Sequence, residues 1–297
     1  MGSKLDSIIE KELIGKGDFP TWLQKSTQYE VCMGSTAYGC ATDKSDLDVY
    51  GFCMPPKEIV FPHLNGSLHG FDDIKEFWQW QKHHIQDPSA LAGKGQQYDF
   101  TIYNIIKYFK LCMDCNPNMV DSLFVPNDCV LHITPLAGMV RAKKDLFLSK
   151  KAFHKFTGYL HSQVAKLDRK PEGKRKESYD IHGFDLKFLY HAVRLASEIS
   201  QILEFGTVDL RRDRELYKAI RRGDWTLDQG KKWLNEKEGQ LSRLYESSPL
   251  RNTPARADIK QLLLDCLETY YGDLAKAEFH NPNRYQTLVE QIREIVR

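Results

Sequence analysis

The chain has 297 residues, 41% of them hydrophobic, and a formal net charge of only +2. That length supports one large domain or two smaller ones, and the absence of any apolar run of 18 residues excludes a membrane-spanning helix. The N-terminus lacks a signal peptide's apolar stretch, and seven scattered cysteines, odd in number, read as reduced thiols, so the expectation is a cytoplasmic protein.

In chain order, residues 5–14 read as a short helix with Leu5, Ile8, Ile9 and Leu13 on one face. An apolar run at 29–33 reads as a strand and leads into Gly34-Ser35-Thr36-Ala37-Tyr38-Gly39. Ser45-Asp46-Leu47-Asp48 then opens a second apolar run that continues to Met54. Alternate side chains of a strand share a face, so Asp46 and Asp48 point to the same side. Two carboxylates held that close repel each other unless a cation neutralises them. Hard oxygen ligands of this kind suit Mg²⁺, which is often bound by one or two carboxylates plus substrate phosphates. A Gly-Ser turn can present backbone N–H groups and a hydroxyl to a phosphate. Together these features predict a site for phosphoryl or nucleotidyl transfer; the bland reading is an amphipathic strand with solvated aspartates.

The pattern resembles the DNA polymerase beta-like nucleotidyltransferase superfamily: a Gly-Ser turn, a spacer of about ten residues, Asp-hydrophobic-Asp, and a third carboxylate on a later strand. Its fuller form here is Gly34-Ser35-x-Ala37-Tyr38-Gly39 with Thr42, then Ser45-Asp46-x-Asp48-x-x-Gly51. That form is similar to a bacterial and phage group that includes RNA-ligase-associated, polymerase-beta-like enzymes. The resemblance implies an α/β (α+β) nucleotidyltransferase core with a small mixed sheet, followed by a mostly α-helical C-terminal domain. It makes Asp46 and Asp48 catalytic metal ligands and Gly34, Ser35, Tyr38 and Ser45 nucleotide-binding candidates.

Residues 67–71 read as a further strand, and 77–97, with Trp78, Trp80, His83 and His84, as a helix leading into a polar loop. Residues 97–102 alternate polar and apolar, as a half-buried strand does, and Asp99 is the only acid among them. Asp99 precedes a helical run over 103–115, so on its own it reads equally as an N-cap; beside Asp46 and Asp48 it reads as the third catalytic carboxylate. Cys112-x-x-Cys115 has no second pair at a zinc-finger spacing and reads as packing cysteines at a helix end. From Thr134-Pro135 onward the pattern is helical throughout. The simplest division is a nucleotidyltransferase catalytic domain over 1–128 and a helical nucleotide- or substrate-binding domain over 129–297.

Two helical segments carry polar ridges beside their apolar stripes. Over 153–167 the ridge is Tyr159, Gln163 and Lys166; over 184–205 it is Lys187, His191 and Arg194, in both cases at i, i+4 and i+7. Such ridges are either solvated helix faces or the walls of a cleft. Residues 156–206 also resemble the same family's helical region, which makes Lys166, Lys187, His191 and Arg194 nucleotide-binding candidates. From Arg141 to Arg222 there are 20 Lys and Arg against 11 Asp and Glu, so the positive charge is concentrated in this half. A basic stretch suits RNA or an NTP alike. The segments 226–245, 256–275 and 283–297 read as structural helices.

The expectation is a transferase that moves NMP from an NTP to an acceptor hydroxyl, using two Mg²⁺ ions, or Mn²⁺ in their place, on Asp46, Asp48 and Asp99. By resemblance the acceptor is RNA, with an RNA ligase or repair proteins as partners. A protein or small-molecule acceptor, and a non-catalytic RNA- or nucleotide-binding module, are the alternatives.

Overall fold

A computed structural model describes residues 8, 19–42, 45–74, 76–88, 90–170, 172 and 176–272. Of the helix expected over 5–14 only Ile8 is described, helical and buried. The segment 283–297, the end of the helix expected over 256–275, and residues 171 and 173–175 of the basic loop lie outside the described residues.

Five strands make one sheet: β1 (Thr27–Cys32), β2 (Leu47–Cys53), β3 (Gln79–Asp87), β4 (Gln96–Asn104) and β5 (Val130–Ile133), in the order β3-β4-β2-β1-β5. The pair β2–β4 is parallel and the other three pairs are antiparallel, so the sheet is mixed. β1 is buried at all six positions, as an interior strand covered on both faces is. Gly51 lets β2 approach it: a Cβ there would stand 1.9 Å from the Tyr29 carbonyl oxygen.

Besides single helical turns at Leu23–Ser26, Lys57–Val60 and Ala90–Gly93, the α-helices are α1 (Gly34–Ala37), also a single turn, then α2 (Ile105–Met113), α3 (Pro117–Phe124), α4 (Pro135–Ala142), α5 (Lys151–Val164), α6 (Lys176–His182), α7 (Leu186–Phe205), α8 (Arg214–Arg222), α9 (Leu227–Ser247) and α10 (Arg256–Tyr271). Local chemistry sets their starts. The side chains of Asn104, Asn116, Thr134, Asp185 and Thr226 each accept a backbone N–H of the first turn of α2, α3, α4, α7 and α9 respectively. Each such cap contributes about 1 kcal/mol. Asn104, not Asp99, is the cap of α2, which leaves Asp99 inside β4.

The sheet's two faces carry separate apolar clusters. Val49, Cys53, Phe100 and Ile102 belong to one. Tyr29, Val31 and Phe52 belong to the other, which continues without a break through Phe109, Phe156 and Ile199 to Leu262. Strand alternation puts Asp48 on the face of Phe52, toward the helices. α7 packs against α5, α8 and α9 and is buried along most of its length.

Three expectations differ from what is found. Residues 67–71 form a turn, closed by Phe71 and Asp72 N–H groups donating to Leu68 O, rather than a strand. The segment expected to be a helix over 77–97 contains β3, and β5 extends the sheet past Asp128. β3 hid because its alternation is broken by a bulge between Lys82 and Ile85; β5 hid because it has only four residues.

Candidate active site

The site is built from one short stretch of chain and one register match. Met33 N–H donates to Asp48 O at 2.7 Å, so the turn that follows β1 is tied to the start of β2. Gly34 has φ +60°, a conformation that L side chains rarely adopt, and a Cβ there would stand 2.1 Å from Asp48 Oδ2. Glycine suits this backbone conformation, and the flexible end of the Asp48 carboxylate lies where a side chain would stand. Downstream, Thr42 N–H donates to Ser45 Oγ at 2.9 Å and Ser45 N–H to Thr42 O at 2.9 Å. Gln96 Nε2 donates to Ser45 O at 3.1 Å, which ties this loop to β4.

Asp48 and Asp99 are direct partners in the β2–β4 register. Asp99 is held from its other side by β3, where the bulge sets His83 and His84 against it, two residues opposite one. His84, at φ +59°, donates its backbone N–H to Asp99 Oδ1 at 2.7 Å, and His83 Nδ1 lies 3.5 Å from Oδ2. Neither histidine was singled out from the sequence as a partner of Asp99; the adjacent pair in a broken alternation was the available signal.

Gly34, Ser35, Thr42, Ser45, Asp46, Asp48 and Asp99 line one cavity of about 480 Å³. Its opposite wall comes from the helical half: Ser178, Asp185, Leu186, Lys187, Tyr190, His191 and Arg221. Burial pushes the Asp48 carboxyl above its ordinary range, and the neighbouring charges of Asp99 and Asp46 add to this, while Lys187 and His83 pull the other way. Asp46, Asp48 and Asp99 therefore share the cleft with the cations Lys187 and Arg221.

This donor set suits a hard divalent cation. Among the described residues no three His, Cys, Asp or Glu side chains close on a single point. Asp46, Asp48 and Asp99 share one cavity wall, and Mg²⁺ is often bound by only one or two carboxylates together with substrate phosphates.

The remaining sequence candidates lie elsewhere. Lys166 Nζ stands over the Phe188 ring at 5.6 Å, outside the cavity wall. Tyr38 and Arg194 sit behind the cleft. Arg194 is 4% exposed, and its Nη1 donates to Tyr38 OH (2.7 Å), Asp121 Oδ2 (2.6 Å) and both Glu198 oxygens (2.9 Å each). The ridge Lys187–His191–Arg194 is real, but it runs inward along α7: its outer end lines the cavity and its inner end is enclosed by α3 and the turn after α1. Arg221, Tyr190, Asp185, Leu186 and Ser178 were not identified from the sequence, because only folding brings α6, α7 and α8 to a turn some 140–180 residues away.

The Cys112 and Cys115 thiols are buried and meet protein oxygens, with Cys112 Sγ 3.8 Å from Met119 O and Cys115 Sγ 3.7 Å from Phe147 O, as packing cysteines do. No helix among the described residues is long and apolar enough to cross a membrane.

No curated protein matches the chain. Among solved structures it is similar to a nucleotidyltransferase-like protein from Exiguobacterium sibiricum 255-15, at 9% identity and a TM-score of 0.27, over 82% of this chain and 75% of that one. The model of RlaP, the RNA repair pathway DNA polymerase beta family, matches residues 3–265, nearly the whole described chain. The chain belongs to that family and is a polymerase beta-like nucleotidyltransferase.

Proposed function

We propose that this nucleotidyltransferase moves NMP from an NTP to a hydroxyl at an RNA 3′ end, releasing pyrophosphate. The observation that carries this reading is the convergence of Asp46, Asp48 and Asp99 with the Gly34–Ser35 turn on one cavity faced by Lys187, His191 and Arg221. The family's description supplies the RNA repair context.

Asp46, Asp48 and Asp99 would hold Mg²⁺, or Mn²⁺ in its place. Such ions, two in the usual arrangement, neutralise phosphate charge and lower the pKa of an attacking hydroxyl. The protein's own part is positional and electrostatic. Ser35 Oγ and the backbone of the Gly34–Ser35 turn receive the β- and γ-phosphates. Lys187 brings a compact point charge and Arg221 a planar fork of donors to the departing pyrophosphate. Ser45 and Thr42 close the loop that carries Asp46. Asp99, oriented by the His84 N–H, takes the proton of the acceptor hydroxyl. Free, buried cysteines agree with a reducing compartment, and we assign the enzyme to the cytoplasm.

The test is to supply Mg²⁺ and each α-labelled NTP in turn to RNA ending in a 3′-hydroxyl and to the same RNA ending in a 3′-phosphate. Label is expected on the hydroxyl-ended RNA alone. Label on a protein or small molecule instead would overturn the RNA assignment while keeping the transferase.

A further inference from the structure

The phosphate-facing turn is a short piece of chain, and a second part of the molecule grips it from behind. Arg211, between α7 and α8, donates Nε to Ala37 O at 3.2 Å and Nη2 to Thr36 O at 3.3 Å. Its Nη1 pairs with Asp128 at 2.8 Å, and its Nη2 also meets Cys129 Sγ at 3.2 Å. Arg211 and Arg214 side chains pack 3.5 Å from where a Cβ of Gly39 would lie. One helix later, Arg221 Nη1 donates to Cys40 O at 2.7 Å. Arg211 is not on the cavity wall, yet it holds the carbonyls of the two residues that directly follow Ser35.

We propose that Arg211 is a positioning residue for triphosphate binding: by fastening the Thr36 and Ala37 carbonyls it fixes the orientation of the Gly34–Ser35 backbone toward the cleft. The inference rests on the reading of the cavity as an NTP site and adds what sets that site's geometry. Three features support it beyond simple packing. The carbonyls that close α1's own turn do not need Arg211, since Tyr38 N–H already reaches Gly34 O at 3.3 Å, Gly39 N–H reaches Thr36 O at 3.2 Å and Cys40 N–H reaches Ser35 O at 2.9 Å. Arg211 is itself oriented by an ion pair to Asp128, a residue of the sheet half, so its fork is set before any ligand arrives. A bidentate, pre-set guanidinium fixes direction as well as distance, which a lysine would not.

A misdirected turn should lose triphosphate selectively. Calorimetry with inorganic triphosphate and with orthophosphate, both with Mg²⁺, separates this from general damage and needs no knowledge of the base. The wild type is expected to bind triphosphate much more tightly than orthophosphate. Arg211→Gln should weaken triphosphate about tenfold or more, leave the orthophosphate affinity within about twofold, and keep its melting temperature within a few degrees. Arg211→Lys should recover only part of the loss. If Arg211→Gln fails to fold, Asp128→Ala, which loosens the exposed end of the pair, should give the same selective weakening. A folded Arg211→Gln protein with wild-type triphosphate affinity, or equal weakening of both anions, would overturn the proposal. A wild type that does not prefer triphosphate would instead bring down the NTP reading on which it rests.

Discussion

Asp48 and Asp99 face each other residue for residue across the parallel strands β2 and β4, on the side of the sheet that the helical half covers. That pairing crowds two carboxylates at one position, and burial raises the Asp48 carboxyl further. A raised carboxyl stabilises the fold below the ordinary carboxylate range, and this contribution is lost as pH rises through the raised value. At neutral pH the ionised Asp48 therefore weighs against the metal-free fold. Asp48→Asn should raise the metal-free melting temperature by a few degrees while lowering transfer by about 100-fold or more. Thermal melts and product formation on the same preparation check both.

Mg²⁺ should raise the melting temperature of the wild type near pH 7.5, because it binds the ionised carboxylates and not the unfolded chain (the linkage form is logarithmic in ligand). The gain should shrink as the pH falls through the raised Asp48 value, since protonated carboxyls are poor ligands. Asp48→Asn should show little of it. An equal Mg²⁺ effect in that variant would place the cation elsewhere.

Two glycines should fail in different ways. In Gly34→Ala the new methyl meets the flexible end of Asp48, and the positive φ adds about 1–2 kcal/mol of strain. The fold should survive and activity should fall with the displaced carboxylate. In Gly51→Ala the methyl meets backbone, the Tyr29 carbonyl, so β1 and β2 must part. A loss of about 3 kcal/mol is expected there. Urea unfolding beside turnover distinguishes the two.

Arg194 should be a stability residue. Its guanidinium faces Asp121 and Glu198 in a fully enclosed site, where burial pushes the Glu198 carboxyl well above the ordinary range against the pull of Arg194. Arg194→Met leaves two buried carboxyls without their cation and should cost about 3–5 kcal/mol. Tyr38→Phe removes one donor to Asp121 and should cost about 1–2 kcal/mol. Urea midpoints of both variants provide the check; near-wild-type stability in Arg194→Met would contradict this role.

What the sequence made legible was local. Gly34, Ser35, Asp46 and Asp48 lie within fifteen residues; alternation along β2 orients Asp48, while Asp46 stands one residue before the strand and still reaches the same cavity. Asp99 was reachable because β4 alternates cleanly around it. β3 was not, because the bulge at His83 and His84 that secures Asp99 also destroys the period that would have revealed the strand. The ridge on α7 was found by helical spacing, but spacing carries no depth, so Arg194 read the same as Lys187 although one is enclosed and the other stands at the cavity. Arg211 and Arg221 were visible only as basic residues; their contacts with Thr36, Ala37 and Cys40 span more than 170 positions and exist only in the folded chain.

The proposed NMP transfer depends on the paired aspartates Asp48 and Asp99. Its most direct test compares α- and γ-labelled forms of each NTP with 3′-hydroxyl RNA and Mg²⁺, using the wild type and Asp48→Asn. With the wild type, α label should enter the acceptor and γ label should leave in pyrophosphate; Asp48→Asn should do neither. Label from the γ position on the acceptor, or undiminished α transfer by Asp48→Asn, would contradict it.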